Sequence, residues 1–222
     1  MRYKEEFIEL MVRSNVLTFG DFTTKSGRKT PFFINTGNYR TGEQIAMLGD
    51  FYAETIHQAV GDQFDALYGP AYKGIPLAVS ASIAYYTRYR LSKAYCFNRK
   101  EAKDHGEGGT LIGHKLKNGE RVIIIEDVIT AGTSVRESVP LLKAQADISI
   151  PALFVSVDRM ERGTGSLTAL KEVEQEFGIR TFAIVTIDEI VDYLHNRLID
   201  GKVVLDNEIQ KRIMEYRSLY GA

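Results

Sequence analysis

The sequence has a single cysteine, Cys96, and no long apolar run. One cysteine excludes an intrachain disulfide, and with it the class of small disulfide-stabilised secreted proteins. The first fifteen residues carry charges in every turn and lack the apolar core of a signal peptide, and no segment approaches the roughly 18–20 apolar residues of a membrane span. We therefore expect a cytoplasmic protein without a membrane partner, whose mature form is the whole chain.

The sequence also lacks an excess of charge of either sign. It has 28 lysines and arginines against 29 aspartates and glutamates, which leaves a formal net charge of −1. Such a chain has no overall field that would attract nucleic acid, so any anion site must be local. Its 222 residues, 44% hydrophobic and 26% charged, are typical of an ordinary globular protein. We expect one domain over residues 1–222, although this length would also accommodate two small ones.

The beginning of the chain predicts a helix followed by a hairpin. Apolar residues at helical spacing indicate a short helix that ends near Asn15. Alternating apolar residues then predict strands over residues 17–22 and 30–34, with a turn at Ser26-Gly27 between them.

From residue 41 onward, predicted helices alternate with short apolar segments. The predicted strands lie at residues 64–68, 94–97, 121–126, 150–157 and 181–186, and the predicted helices begin near residue 41 and cover residues 74–86, 134–146, 167–177 and 187–198. Strands that are apolar throughout and separated by helices indicate an α/β fold with a parallel sheet covered on both faces. In such a sheet ligands bind at one rim, formed by the loops after Tyr68, Phe97, Glu126 and Val157.

Residues 98–110 interrupt this alternation. The segment contains seven ionisable side chains and three glycines, so it is too polar to pack in a core and too rich in glycine for a stable helix. We predict a mobile surface loop here. The alternative is a charged loop whose only interaction is with solvent.

One predicted strand ends in two adjacent carboxylates, Glu126 and Asp127, and a turn of small residues from Thr130 to Ser134 follows. Small side chains allow backbone N–H groups to converge on an anion at a helix N-terminus, where the helix dipole also favours negative charge. The alternative is that Thr133 or Ser134 only caps the helix and both acids are solvated. The turn is neither a Walker P-loop nor a GxGxxG motif, so we predict a phosphate site of another kind.

The segment EDVITAGTS, which begins at Glu126, resembles the phosphoribosyl-pyrophosphate (PRPP) signature of the type I phosphoribosyltransferases. Four further segments are similar, in order and spacing, to orotate phosphoribosyltransferases: TPFFIN, PAYKGIPLA, RKEAKDHGEGGTLIG and VSVDRMERG. After about residue 186 we recognise only a generic helical ending.

The resemblance implies a central parallel sheet flanked by helices, with residues 1–40 and the C-terminal end forming a hood over a base site. It implies transfer of the 5-phosphoribosyl group from PRPP to orotate, which gives orotidine 5-phosphate and pyrophosphate in UMP biosynthesis. Mg²⁺ is expected to arrive with PRPP rather than on protein ligands, because the four histidines are scattered without metal-ligand spacing. A homodimer whose subunits share loop residues is also implied.

The resemblance assigns the sugar and the 5-phosphate to the EDVITAGTS segment. Glu126 and Asp127 would bind the 2- and 3-hydroxyls of ribose and stabilise positive charge at the anomeric carbon. Glu126 stands where many family members have an aspartate. The turn that would hold the 5-phosphate comprises Val128, Ile129, Thr130, Ala131, Gly132, Thr133 and Ser134.

The polar loop would bring cations to the pyrophosphate of PRPP and exclude water when it closes. Its implied contacts are Arg99, Lys100, Lys103 and His105. The implied catalytic residues are Lys103, Arg99 and His105 of this loop, together with the acids Glu126 and Asp127.

Three more residues are implied PRPP contacts: Lys25, Tyr72 and Lys73. On its own, Lys73 would be typical of an ordinary surface lysine. Its neighbours Gly69-Pro70 and Gly74, however, predict a constrained turn that brings the backbone close to a ligand. The family also tends to have an unusual peptide geometry in this loop.

The base site depends on the least distinctive residues. By resemblance, the orotate ring lies among Lys25, Phe32, Phe33 and Thr130, and its carboxylate meets Arg159. A guanidinium suits a planar carboxylate because it can donate two parallel hydrogen bonds. The alternatives are that the adjacent aromatic residues belong to the core and that Arg159 is an exposed ion-pair residue.

Two other functions compete with orotate transfer. A transferase of the same fold that acts on a purine or on uracil would usually lack the RKEAKDHGEGG loop and would leave Arg159 without its anion. A non-catalytic PRPP-sensing regulator would be expected to lose the loop cations and to gain a basic surface for nucleic acid. This chain keeps the cations and has almost no net charge.

Replacement of Lys103 by alanine tests the predicted loop. Loss of one positively charged donor from the transition state is expected to lower turnover on the order of 10²-fold or more while the chain stays folded. Steady-state kinetics and circular dichroism measure the two quantities, and near-normal turnover would contradict the role of the loop.

Overall fold

The computed structural model describes residues 2–24, 27–100 and 109–222. The first elements are α1 (Arg2–Arg13), β1 (Leu17–Thr23), β2 (Lys29–Ile34), a 3-10 turn (Thr36–Asn38), α2 (Gly42–Val60), β3 (Ala66–Tyr68) and α3 (Gly74–Tyr89). They are followed by β4 (Ala94–Asn98), β5 (Leu111–Gly113), β6 (Arg121–Val128), α4 (Thr133–Lys143), β7 (Ser149–Asp158) and α5 (Ala169–Phe177). The last elements are β8 (Arg180–Thr186), α6 (Ile187–Leu194), β9 (Leu198–Ile199), β10 (Lys202–Val203) and α7 (Asn207–Tyr220).

The central sheet has six strands in the order β5-β4-β3-β6-β7-β8 among the described residues. All neighbours are parallel except β5, which pairs antiparallel with β4 at one edge. The predicted α/β fold with a parallel sheet is therefore confirmed, with one antiparallel edge strand added. Strand β5 was not predicted, because its three residues are too few to show a periodic pattern.

Helices cover both faces of the sheet. On one face, Ile123, Ile125 and Phe154 pack in a core that also contains residues of α1, α2, α3, α6 and α7. On the other face, Ile124 and Val155 pack with residues of α4 and α5. Burial on both faces explains why these strands are apolar throughout.

Parallel pairing brings the carboxyl ends of the strands to one rim. Tyr68 at the end of β3 aligns with Cys96 on β4 and Ile124 on β6, and Glu126 aligns with Val155 on β7. The loops after β3, β4, β6 and β7 therefore lie along the same rim, as predicted.

The predicted hairpin is formed by β1 and β2, and the last helix packs against it. The rings of Phe32 on β2 and Tyr216 on α7 meet edge to face, with centroids 5.9 Å apart. Arg212 on α7 donates an Nη2 hydrogen bond to the carbonyl oxygen of Gly20 at 3.0 Å. The β1–β2 hairpin and helix α7 thus contact each other beside the sheet.

The chain after residue 186 departs from the prediction. The helix predicted over residues 187–198 ends at Leu194, and the small β9–β10 hairpin follows before α7. Asp200 and Gly201 both have positive φ, at 49° and 78°. Positive φ at two successive positions is typical of the tight turns that Asp-Gly favours, so this dipeptide is the sequence signal for the β9–β10 turn that the helical pattern concealed.

None of the described helices is both long and apolar enough to cross a membrane.

Candidate active site

Two adjacent acids, Glu126 and Asp127, lie near the carboxyl end of β6 in the middle of the sheet. Tyr52 on α2 donates its hydroxyl hydrogen bond to the Glu126 carbonyl oxygen at 2.7 Å. Ser156 on β7 donates to the Asp127 carbonyl oxygen at 2.6 Å. Because both donors are buried, the core fixes the backbone that carries the acids.

The side chain of Glu126 is in an unusual environment for an acid, since only 6% of the residue is exposed. Burial, with the neighbouring charge of Asp127, raises the pKa of Glu126 to about 7. Hydrogen bonds with the Ser134 hydroxyl and with the Asp127 backbone N–H, the latter at 3.2 Å, oppose this rise. The alternative of two solvated acids is therefore wrong for Glu126, which gains or loses its proton near neutral pH.

Asp127 is closer to solvent and joins three segments of the chain. Its Oδ2 accepts a hydrogen bond from Thr36 Oγ1 at 2.6 Å and another from Lys73 Nζ at 3.1 Å. Thr36 opens the 3-10 turn that follows the hairpin, and Lys73 directly precedes α3. Lys73 was a predicted contact but Thr36 was not, because only the fold places a hydroxyl from residue 36 beside an acid 91 positions away.

Helix α4 begins at the rim directly after these acids. Its N-cap is Gly132, at a φ of 74°, and a glycine has no side chain to cap the helix. Four other helices, α2, α5, α6 and α7, are capped by side-chain oxygens of Thr41, Thr168, Thr186 and Asp206, whereas α3, which also begins at the rim, has no side-chain cap. The alternative in which Thr133 or Ser134 caps α4 is therefore wrong, and the helix presents its first backbone N–H groups at the rim.

The turn between β3 and α3 is tightly closed. A Cβ atom on Gly69 would lie 1.9 Å from the carbonyl oxygen of Gly74, and one on Gly74 would lie 2.7 Å from the carbonyl carbon of Gly69. Only glycine fits at both positions, which confirms the constrained turn predicted around Lys73. The peptide bond between Ala71 and Tyr72 is cis.

Asn98, the last residue of β4, holds this turn and was not identified from the sequence. Its Oδ1 accepts hydrogen bonds from the Ala71 backbone N–H at 2.8 Å and from the Tyr68 hydroxyl at 3.0 Å. Lys100 lies close by, with its Nζ 5.3 Å from the centroid of the exposed Tyr72 ring. The only signal in the sequence is an amide residue where an apolar strand ends.

Phe32 and Phe33 differ in their surroundings. Phe32 is fully buried, as the core alternative anticipated, whereas 39% of Phe33 is exposed and its ring stacks on Phe22 with centroids 5.5 Å apart. The guanidinium carbon of Arg159 lies 4.6 Å from the centroid of the Phe32 ring. Phe32 therefore packs against Arg159 from the core side.

Arg159 follows β7 and is 9% exposed, so it is not the exposed ion-pair residue of the alternative interpretation. Its Nε and Nη2 donate to Oε1 of Glu161 at 3.0 Å and 2.6 Å. Glu161 lies within the VSVDRMERG segment but was not singled out from it.

The rim thus brings together Glu126, Asp127, Lys73 and Ser134. Lys25, Lys103 and His105 lie outside the described residues. In the parts of the chain that the structure describes, no group of three or more histidine, cysteine, aspartate or glutamate side chains could hold a metal ion.

A mostly parallel sheet with two adjacent acids and an uncapped helix start at its rim is the arrangement expected of a phosphoribosyltransferase, and comparison with known families agrees. The family model of the phosphoribosyl transferase domain matches residues 35–177. The chain belongs to this family.

Full-length relatives narrow the assignment. The chain is 58% identical over 220 residues to the orotate phosphoribosyltransferase of Clostridium acetobutylicum, covering 99% of this chain and 98% of the relative. It is 55% identical to that of Clostridium beijerinckii with the same coverage. A crystal structure of the Francisella tularensis enzyme superposes with a TM-score of 0.83 at 36% identity, over 98% of this chain and 100% of the other. Within its family, the chain is thus a member of the orotate phosphoribosyltransferases, as the resemblance indicated.

Replacement of Glu126 by glutamine is expected to change how stability depends on pH. The pKa of this carboxyl is higher in the folded chain than its ordinary 4.5, so the protonated form favours folding and the free energy of unfolding falls as the pH rises from about 4.5 to about 7. Glutamine cannot ionise, so the free energy of unfolding of the variant should lack this fall, which amounts to up to ~3 kcal/mol. Urea unfolding at several pH values measures the difference.

Glu43→Gln is the matched control, because Glu43 is exposed in the first turn of α2. It should keep the pH dependence of the wild type. Equal slopes for the wild type and Glu126→Gln would show that Glu126 has an ordinary pKa.

Proposed function

We propose that this chain transfers the 5-phosphoribosyl group from PRPP to orotate, with inversion at the anomeric carbon, and releases pyrophosphate. The product, orotidine 5-phosphate, places the reaction in UMP biosynthesis. The observation that supports the proposal best is the pair of acids at the centre of the rim, followed directly by the uncapped start of α4. The proposal treats residues 1–222 as one domain that works in the cytoplasm.

Glu126 and Asp127 bind the ribose of PRPP in this proposal. Their carboxylates accept hydrogen bonds from the 2- and 3-hydroxyls and stabilise the positive charge that develops at the anomeric carbon as pyrophosphate departs. The rigid backbone beneath them supports this role, because a preorganised acceptor needs no rearrangement during the reaction.

The turn after the acids binds the 5-phosphate. Thr130 and Thr133 are exposed residues there, close in sequence to the first N–H groups of α4. The full set of proposed phosphate contacts is Val128, Ile129, Thr130, Ala131, Gly132, Thr133 and Ser134.

Lys73 is proposed to exchange the carboxylate of Asp127 for the pyrophosphate group when PRPP binds. Its ammonium group lies 3.1 Å from Asp127 Oδ2, and 55% of the lysine side chain is exposed, so the side chain has room to turn. The pyrophosphate of PRPP attracts it away from Asp127, and the freed carboxylate then accepts the ribose hydroxyl. The other proposed pyrophosphate contacts are Lys25, Tyr72, Arg99, Lys100, Lys103 and His105.

Mg²⁺ is proposed to enter together with PRPP. Asp127, the partly exposed acid at the rim, suits a hydrated ion that stays on the substrate phosphates. When bound, the ion neutralises negative charge on the leaving pyrophosphate.

Orotate is proposed to bind beneath the hairpin, among Lys25, Phe32, Phe33 and Thr130, with its carboxylate on Arg159. Glu161 uses one N–H of Nε and one of Nη2, and the remaining N–H groups of the guanidinium are donors for a second carboxylate. A neutral base would offer no charge to this arginine, which supports orotate over uracil or a purine.

A homodimer that shares loop residues across its interface is also proposed. Large apolar or aromatic side chains are exposed on the turn before α3, on α3 and on β4: Tyr72, Ile83, Tyr86 and Tyr95. Contact with a second copy would remove them from water.

The test of the proposed reaction is the loss of orotate absorbance in the near ultraviolet after PRPP is added, with and without Mg²⁺. Uracil, adenine and hypoxanthine serve as parallel substrates. Loss with orotate alone, dependent on Mg²⁺, is expected. Turnover of another base would refute the base site, and PRPP binding without turnover of any base would favour a regulator.

Arg159→Ala is expected to raise the KM for orotate at least about 10-fold, because it removes charge-assisted hydrogen bonds to the carboxylate. The KM for PRPP should change little, and steady-state kinetics with each substrate varied measures both. Arg197→Ala is the control, since Arg197 also lies over an aromatic ring, with its guanidinium carbon 4.1 Å from the centroid of Tyr193. A collapse of PRPP binding with unchanged orotate affinity would contradict the assignment.

A further inference from the structure

Arg159 is held in place by side chains from three separate parts of the chain. Oε1 of Glu161 accepts hydrogen bonds from its Nε at 3.0 Å and its Nη2 at 2.6 Å. Tyr216 on α7 donates its hydroxyl to the same oxygen at 3.1 Å. With Phe32 beneath the guanidinium, both the plane and the direction of the group are fixed.

The group is shielded from solvent, which strengthens these contacts. The side chains of Arg159 and Glu161 are only 10% and 13% exposed. An ion pair in such surroundings is screened far less by salt than a surface pair. Glu161 therefore restrains Arg159 much more than an exposed carboxylate could.

The backbone that carries this pair is restrained as well. Met160 has a φ of 52°, and its N–H donates to Asp158 Oδ1 at 2.8 Å. Glu161 forms an antiparallel bridge with Gly221, and the N–H of Ala222 donates to the Met160 carbonyl oxygen at 3.2 Å. Residues after α7 thus help to set the position from which Glu161 reaches Arg159.

We propose that Glu161 is a positioning residue for orotate, supported by Tyr216, and that it acts by ordering Arg159 before the substrate arrives. The inference rests on the proposed contact between Arg159 and the orotate carboxylate. A free arginine side chain loses considerable rotamer entropy when it is ordered. Glu161 imposes that order during folding, so orotate binding does not have to supply it.

The same geometry has an opposite interpretation, in which Glu161 competes with orotate for the guanidinium. The two interpretations predict changes of opposite sign when Glu161 is removed. Positioning predicts weaker use of orotate, whereas competition predicts stronger use. The contact with Tyr216 favours positioning, because a carboxylate anchored by a second donor does not leave the arginine freely.

Glu161→Ala is expected to raise the KM for orotate about 10-fold, with kcat and the KM for PRPP within about twofold of the wild type. Glu161→Gln keeps an acceptor oxygen at the same place and should rescue most of the loss, leaving a roughly threefold increase. Tyr216→Phe keeps the ring against Phe32 and should raise the same KM by about two- to threefold. A purely structural role would not confine the effect to one substrate.

Two controls isolate the effect. Glu174→Ala removes the carboxylate of an ion pair of the same 2.6 Å length, Lys171–Glu174 on α5, and should leave the kinetics unchanged. Arg159→Ala combined with Glu161→Ala should be no worse than Arg159→Ala alone, because Glu161 acts through the arginine.

A lower KM for orotate in Glu161→Ala would overturn the proposal in favour of competition. An unchanged KM in Glu161→Ala, with a raised KM in Arg159→Ala, would overturn the role of Glu161 and leave the proposed function intact. An unchanged KM in Arg159→Ala would overturn the base site itself, and the inference with it. If Glu161→Ala does not fold, the glutamine and phenylalanine variants decide, and no increase in either would overturn the proposal.

Discussion

Parallel backbone pairing of β6 with β3 on one side and β7 on the other is the constraint on which the site depends. The pairing places the strand inside the sheet, where helices cover both faces, so its last residues leave the core at a fixed point and in a fixed direction. Tyr52 and Ser156 complete the restraint, because they satisfy the backbone carbonyls of the two acids. Glu126 remains inside the boundary of the core and Asp127 lies just outside it. Two neighbouring carboxylates therefore differ in their contact with water.

Two cations at the rim are paired with acids in the described part of the chain. Lys73 contacts Asp127, and Arg159 contacts Glu161. Such pairs keep the charges ordered, and each also offers a cation that a phosphate or a carboxylate can engage. The two pairs differ in burial, since Lys73 is half exposed and Arg159 is nearly enclosed. The Lys73–Asp127 pair is thus suited to giving up its partner for a ligand, and the Arg159–Glu161 pair to holding a ligand in one fixed geometry.

Local patterns in the sequence predicted most of the fold and the centre of the site. Apolar runs identified the long buried strands, and the nine residues from Glu126 to Ser134 indicated the pair of acids and a helix start at the rim because they are contiguous. Thr36 and Asn98 escaped notice because their partners are near only in the folded chain. Glu161 escaped notice because nothing in the sequence shows that its carboxylate turns back to Arg159, two positions earlier, or that Tyr216 of α7 meets it there. The β9–β10 hairpin was missed because strands of two residues show no periodicity, and α7, although 14 residues long, was not delimited within the generic helical ending. The roles of the individual site residues stay predictions, including those of Lys25, Lys103 and His105.

The burial of Glu126 has a consequence for the exchange of protons with solvent. With a pKa of about 7, a large share of the free enzyme holds a proton on this carboxyl at neutral pH. A ligand that donates hydrogen bonds to the carboxylate, or brings a cation near it, favours the ionised form and expels that proton. Ligand binding at the rim therefore releases a proton, and the measured heat of binding includes the ionisation heat of the buffer that takes up this proton.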